Sequence, residues 1–135
     1  MENAKWMRVA GGTSTKRRGE DIEERMLEFA ARVGKAVDAL PETRLGRHIA
    51  GQLVRSGTSP APNYAEACAA ESKNDFIHKL GIVLKELRES GVWIKLITRS
   101  ELIPRQRVAQ LLDECEQLGK IIGQSLVTAK SSRVR

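Results

Sequence analysis

The chain has 135 residues, of which 41% are hydrophobic and 4% aromatic, and its formal net charge is +6 at pH 7. This length allows one domain, and a composition rich in aliphatic and poor in aromatic residues favours helices over a β-sandwich. No apolar run approaches the length of a membrane span, and the N-terminus lacks the apolar segment of a secretory signal. We therefore expect no membrane partner and a cytoplasmic location.

The positive charge is concentrated at the two ends of the sequence. Residues 1–19 contain five Lys or Arg and one acid, and residues 128–135 contain three Lys or Arg and no acid. We expect basic disordered tails at 1–19 and 128–135 around one folded domain at 20–127. Such tails either improve solubility or bind an anion, and Lys16, Arg17 and Arg18 are the candidate nucleic-acid contacts in the first.

Two helices are predicted in the first half of the domain. The acidic residues within 20–24 favour a helix N-terminus, and the apolar stripe that follows ends at Leu40. The second helix starts near Thr43 and meets Ser59-Pro60-Ala61-Pro62 midway. Because proline is tolerated in a first helical turn but not in a helix interior, this segment predicts a kink or restart with Ser59 as the cap.

Two more helices are predicted in the second half. Ser72 to Asp75 resembles a capping box, which opens the third helix after a tight connection, and this helix should end near Ser100. Pro104 begins the fourth helix, whose apolar seam ends at Leu126. Four amphipathic helices with short links predict an all-α fold, an antiparallel up-down four-helix bundle with a proline kink in helix 2.

Two sets of residues, the first polar and the second mixed polar and apolar, occur at coiled-coil spacing on the second and third helices, each within a narrow arc. Since an unpaired buried polar group is costly, the two sets must face each other, another subunit, a ligand or water. In an antiparallel register Glu66 can reach Lys79, and Arg55 can reach Glu86 or Glu89. The first set is Gln52, Ser56, Ser59, Asn63 and Glu66, and the second is Asp75, Lys79, Ile82, Glu86, Glu89, Trp93 and Leu96.

These polar sets allow three interpretations. They form an internal network that fixes helix register, a network between subunits, or a small catalytic site that uses Asn63, Glu66, Lys79 and Glu86. We rank catalysis last because no nucleophile and base pair is evident. His48 and His78 have no companions at ligand spacing, and Cys68 and Cys115 lack the spacing of a zinc site. The sequence therefore predicts no catalytic residue, metal or cofactor.

Two further surfaces are predicted on the second and third helices. The third helix carries more apolar residues than one bundle can bury, which favours a homo-oligomer with an interface at Ile77, Ile82, Val92, Trp93 and Leu96. Basic residues cluster at Arg44, Arg47 and Arg55 on the second helix and at Lys85, Arg88, Lys95 and Arg99 on the third. These clusters either contact phosphate or form a solvated face, and the solvated face is favoured because no aromatic residue interleaves to stack on bases.

Several polar segments resemble the signature of bacterial four-helix bundle proteins, a family that includes the large-subunit ribosomal RNA intervening-sequence proteins and the accessory variability determinant of diversity-generating retroelements. The resemblance covers about residues 20–127. It implies a bundle that assembles into a homopentamer and, in the retroelement branch, an accessory protein that binds nucleic acid and a reverse transcriptase. The segments are Gln52-Leu53-Val54-Arg55-Ser56-Gly57-Thr58-Ser59, Asn63-Tyr64-Ala65-Glu66-Ala67, Asp75-Phe76-Ile77-His78-Lys79-Leu80, and Lys85-Glu86 with Glu89 and Trp93.

Two features depart from the retroelement pattern. Pro60 and Pro62 stand where the resembling proteins often have a small or aliphatic residue, and the second departure is the charge of the domain. Residues 20–127 contain fifteen bases and sixteen acids, so the body of the domain is nearly neutral. We expect a non-enzymatic, oligomeric accessory or scaffold protein whose partners are itself, RNA or DNA, and a processing enzyme such as a reverse transcriptase. The alternative is a scaffold that binds proteins only.

Overall fold

The computed structural model describes residues 15–134, and these residues form helices joined by short loops, with no strand among them. The second and third segments are the two halves of one bent helix, so the predicted all-α four-helix bundle with a kinked second helix is confirmed. The segments are α1 (Thr15–Asp38), α2 (Arg44–Thr58), α3 (Pro60–Cys68), α4 (Lys73–Arg99) and α5 (Arg105–Val134).

The four helices of the bundle pack around one core. α4 packs against α5 on one side and against α2 and α3 on the other, while α1 packs against α2, α3 and α5. α1 and α4 therefore occupy opposite corners of the bundle. Apolar residues at helical spacing on each helix supply the core, in agreement with the predicted stripes. Its largest fully buried side chains include Met26, Phe29, Ile49, Leu53, Phe76, Leu80, Leu118 and Ile122.

Ser59 is the N-cap residue of α3 and Pro60 follows it at the first helical position, as the sequence predicts. Ser59 has helical backbone angles, φ −72° and ψ −36°, and its side chain caps no backbone amide. The Asn63 backbone N–H donates to the Ser59 carbonyl oxygen at 3.2 Å, and Asn63 Nδ2 donates to Ser59 Oγ at 2.9 Å. Because Pro60 and Pro62 have no N–H to cap, the helix bends at Ser59 without needing a side-chain cap.

Two helix starts agree with the sequence. Thr43 Oγ1 accepts from the Gly46 backbone N–H at 3.0 Å at the start of α2. Ser72 Oγ accepts from the Asp75 backbone N–H at 3.0 Å at the start of α4. Side-chain caps of this kind satisfy amides that no helical carbonyl can reach, so they fix where each helix begins.

The turn between α1 and α2 requires glycine at position 46. A Cβ atom added to Gly46 would lie 2.1 Å from the Pro41 carbonyl oxygen and 3.0 Å from Thr43 Oγ1. The first of these is a backbone atom, which cannot move without moving the loop. The close approach of α2 to this loop therefore depends on the missing side chain.

The ends of the bundle extend further than expected. We predicted tails at 1–19 and 128–135, but α1 begins at Thr15 and α5 continues to Val134. No proline interrupts the sequence between Thr15 and Leu40, and Ala129 is fully buried, so α5 still has core to pack against beyond residue 127. The remainder of the predicted tails, residues 1–14 and 135, lies outside the described residues. No helix within 15–134 is long and apolar enough to cross a membrane.

Candidate functional site

Arg55 joins α2 to two carboxylates on α4. Arg55 Nη1 donates to Glu86 Oε1 at 3.0 Å, and Arg55 Nη2 donates to Glu89 Oε2. The Glu86 side chain is 11% exposed and that of Arg55 is 50% exposed, so the pair lies at the edge of the core. Trp93 Nε1 also donates to Glu89 Oε2 at 3.1 Å, and the ring of His48 packs edge-on against Trp93 at a centroid distance of 5.6 Å.

These contacts shift the pKa of both charged partners in the direction that keeps them ionised. The hydrogen bond from Trp93, followed by that from Arg55, lowers the pKa of the Glu89 carboxyl below its usual value. The hydrogen bonds to Glu89 and Glu86 raise the pKa of the Arg55 guanidinium. A carboxylate held ionised by two donors is a poor general acid or base at neutral pH.

Other members of the polar sets are also paired within the chain. Lys79 Nζ donates to Glu66 Oε1 at 2.7 Å across the turn between α3 and α4. Ser90 Oγ donates to Ser56 Oγ at 2.8 Å, and both serines are fully buried between α2 and α4. Gln52 is partly buried on the same face of α2. The contacts that the antiparallel register predicts for Arg55 and Glu66 are therefore present, and Ser90 is a member that sequence reasoning missed.

Neither cysteine has the surroundings of a nucleophile. Burial raises the pKa of the Cys115 thiol to about 12, and that of Cys68 to about 11. Cys115 Sγ donates to the Leu87 carbonyl oxygen at 3.1 Å. A thiol attacks as its thiolate, so both are structural at neutral pH. No three His, Cys, Asp or Glu side chains group as metal ligands within residues 15–134.

Four basic residues lie exposed along α4, and we call Lys85, Arg88, Lys95 and Arg99 the basic stripe. At 1.5 Å per residue they extend over about 21 Å of helix. Lys95 lies 3.8 Å from Glu116, with both side chains more than half exposed, and such a pair is weak. The stripe is thus available to an external anion.

The other predicted basic residues are separated from this stripe. Arg44 and Arg47 are exposed at the start of α2, whereas Arg55 is occupied by Glu86 and Glu89. Lys16, Arg17 and Arg18 lie in the first turns of α1, and the structure describes only their helical backbone. These residues therefore lie on α1 and α2, whereas the basic stripe lies on α4.

The predicted interface residues divide into buried and exposed members. Ile77 is 9% exposed and belongs to the core of the single chain, because it lies on the side of α4 that faces α5. Trp93 and Leu96 are partly buried against the same core, and Ile82 is half-buried. Val92, at 59% exposed, is the predicted member that one chain leaves uncovered.

An open groove of about 710 Å³ runs between α4 and α5 beside Val92, and we call it the α4–α5 groove. A Cβ added to Gly119 or Gly123 would meet nothing within 4 Å, so their lack of side chains leaves space that the chain does not fill. The floor of the groove consists of Leu84, Leu87, Gly91, Val92, Gly119 and Gly123. Its charged rim consists of Arg88, Lys95, Glu116 and Lys120.

The outer face of α1 has the opposite charge. Its exposed residues include an apolar pair flanked by acids, and Leu27 in that pair is 48% exposed. Sequence reasoning read these acids only as a helix start. The arrangement was detectable, since the residues lie on the side of α1 away from its apolar stripe. We call this set, which is Asp21, Glu24, Leu27, Glu28 and Ala31, the acidic α1 face.

Comparisons with known proteins agree with this geometry. Residues 20–124 match the family model described as 23S rRNA-intervening sequence protein. The chain is also similar to a crystal structure, determined at 1.70 Å, of a protein of unknown function from the S23 ribosomal protein family of Bacteroides thetaiotaomicron VPI-5482. The two are 32% identical with a TM-score of 0.70, over 78% of this chain and 97% of that one. No curated protein matches. The chain therefore belongs to the 23S rRNA-intervening sequence protein family.

Proposed function

We propose that this chain is a non-catalytic, homo-oligomeric accessory protein that binds nucleic acid and assists a nucleic-acid-processing partner such as a reverse transcriptase. The observation that carries the proposal is the basic stripe on α4. Its four side chains are exposed, and among the described residues only Lys95 forms an ion pair, at 3.8 Å from Glu116. Lys and Arg arranged along one helix attract phosphates by an electrostatic term that does not depend on sequence.

The polar groups between α2, α3 and α4 support a structural role in place of catalysis. Glu66 and Lys79 pair with each other, as do Glu86 and Arg55. A catalytic acid or base needs a group poised to transfer a proton, and these charges are neutralised by one another. We therefore assign this network to helix register.

Exposed apolar residues support the oligomer. Val92, which lines the α4–α5 groove, is 59% exposed. Val127 on α5 is 58% exposed and lies about one helical turn beyond Gly123 of the groove. Single exposed apolar residues are ordinary, but their position at a groove with an apolar floor is typical of an interaction surface. Five subunits are favoured by the family resemblance alone.

The nucleic-acid proposal is tested by salt dependence. Binding of the full-length protein to a single-stranded RNA oligonucleotide should weaken steeply as salt rises, and Lys85→Gln with Arg99→Gln should lower the logarithmic slope by about 1.4, or about 0.7 for each contact removed. The control, Lys35→Gln with Lys130→Gln, neutralises exposed lysines outside the stripe and should leave the slope unchanged. Absence of RNA and DNA binding at low salt would reject the proposal and favour a scaffold that binds proteins only.

A further inference from the structure

We infer that the α4–α5 groove receives the acidic α1 face of a second copy of this chain, so that neighbouring subunits join head to tail. This inference rests on the homo-oligomer proposed above and names its interface. It assigns the groove, the exposed Leu27 and the surface acids of α1 to one contact.

Charge complementarity is the first argument. The groove rim carries Arg88, Lys95 and Lys120 against the single acid Glu116, while the α1 face carries three acids. Among the side chains that the structure describes, no ion pair joins Asp21, Glu24 or Glu28 to another residue. Complementary patches steer two chains together and fix their register.

Shape is the second argument. A docked helix needs small residues beneath it so that its backbone can approach closely, and Gly91, Gly119 and Gly123 lie in the groove floor. Glycine in a helix interior costs about 1 kcal/mol relative to alanine. Packing within the chain does not explain that cost at Gly119 and Gly123, since a Cβ at either would meet nothing. Close approach by another subunit does explain it.

The apolar parts of the two surfaces also match. Leu27 is 48% exposed at the centre of the acidic α1 face, and Val92 is 59% exposed at the groove. Leu27 of one copy placed in the groove of the next would cover both side chains. An apolar centre with charges around it has the anatomy of a specific protein interface.

The positions of the two surfaces determine the kind of assembly. α1 and α4 lie at opposite corners of the bundle and, within residues 15–134, do not contact each other. The α4–α5 groove and the acidic α1 face of one chain therefore cannot bind each other, and the contact must be made between two chains. The contact joins two different surfaces, and repeating it gives a closed ring or an open filament. Arg88 and Lys95 then face the neighbouring subunit, which leaves Lys85 and Arg99 of the basic stripe for nucleic acid.

Charge reversal tests the pairing in the full-length chain. Light scattering should give a multiple of the 15.0 kDa chain mass for the unmodified protein. Glu24→Lys with Glu28→Lys, or Arg88→Glu with Lys95→Glu, should each reduce it to 15.0 kDa while circular dichroism remains helical. All four substitutions on one chain restore opposite charges and should restore the assembly. The control, Glu42→Lys with Glu71→Lys, reverses exposed loop acids and should leave the mass unchanged.

The outcomes separate this inference from the function on which it rests. A monomeric unmodified protein would reject both. An oligomer that survives both pairs of reversals would keep the proposed oligomer and reject this interface. Dissociation by each pair without recovery in the fourfold variant would also overturn the pairing, because complementary charge would then not explain the contact.

Discussion

The two sides of α4 use their polar residues in opposite ways. Towards α2 and α3, the Glu86 side chain is 11% exposed and held by Arg55, and the buried Ser56 and Ser90 bond to each other. Towards α5, the groove is open and its cations have at most one weak partner among the described residues. The first side is completed by its own chain and the second is not. Charged residues at similar helical spacing thus fix the relative position of the helices on one side of α4 and are available to bind a partner on the other.

The largest expected effect comes from filling space on the closed side. Ser56→Leu places a large side chain where the serine is fully buried, and overpacking should cost about 1–3 kcal/mol of unfolding free energy in urea titrations. The matched change on the open side is Gly119→Leu, made in the Glu24→Lys with Glu28→Lys background so that no neighbouring subunit covers the groove. Its Cβ meets no atom of its own chain within 4 Å, and the change should cost no more than about 0.5 kcal/mol. Equal losses at the two positions would remove the distinction between the sides.

Removing the buried hydroxyl pair should have a smaller effect. Ser90→Ala leaves Ser56 without the donor that now lies 2.8 Å away, and the expected loss is about 1 kcal/mol in the same titrations. Thr128→Ala, at a partly exposed position on α5, is the control and should change stability less. If Ser90→Ala were neutral, the hydrogen bond would contribute nothing to the closed side.

The open side predicts a gain. In the same monomeric background, Gly119→Ala adds a methyl group that meets no atom of its own chain within 4 Å, so helix propensity should raise the unfolding free energy by about 0.5–1 kcal/mol. The tight counterpart is Gly57→Ala, whose added carbon would lie 2.8 Å from both γ-methyl groups of Val33. That variant should lose stability, and a loss at Gly119 would show that the groove is filled within the chain.

The smallest effect concerns pH. The Trp93 and Arg55 hydrogen bonds lower the pKa of Glu89 in the folded state. A carboxyl with a lowered pKa contributes stability above its unfolded pKa, and this contribution is lost as pH falls through the folded value. Trp93→Phe removes the larger cause, so the fall in urea midpoint between neutral and acidic pH should be shallower. Leu96→Met, beside the same core, serves as the control, and an unchanged slope in Trp93→Phe would contradict the assigned cause.

The fold was accessible from the sequence because its signals are local and repeated. Apolar residues at helical spacing, the Ser72 cap and the prolines after Ser59 each depend on neighbouring residues only, and all three placed helices correctly. The antiparallel register then predicted the ion pairs of Arg55 and Lys79. A tight turn between two antiparallel helices determines which residues of one helix lie level with which residues of the other. Ser59 occupies the predicted N-cap position of α3, although its side chain bonds to no backbone amide.

The candidate surfaces were less accessible, since they depend on which side of α4 faces α5. Ile77 looked like surplus apolar surface, but the direction of the neighbouring helix buries it. Glycines 119 and 123 gave no signal alone, because periodicity does not show whether a helical glycine faces a packed neighbour or open space. The groove forms between α4 and α5, so the residue pattern of either helix alone does not predict it.

The turn before α2 limits what substitutions the chain can accept. A methyl group at residue 46 would overlap the Pro41 carbonyl oxygen at 2.1 Å, and every amino acid other than glycine carries at least that carbon. In a library randomised at residues 46 and 119 and selected for folded protein, the first position should return glycine alone. If the selection is for folding of the chain and not for its assembly, the second position should admit most helix-forming residues, because a Cβ there meets no atom of its own chain within 4 Å.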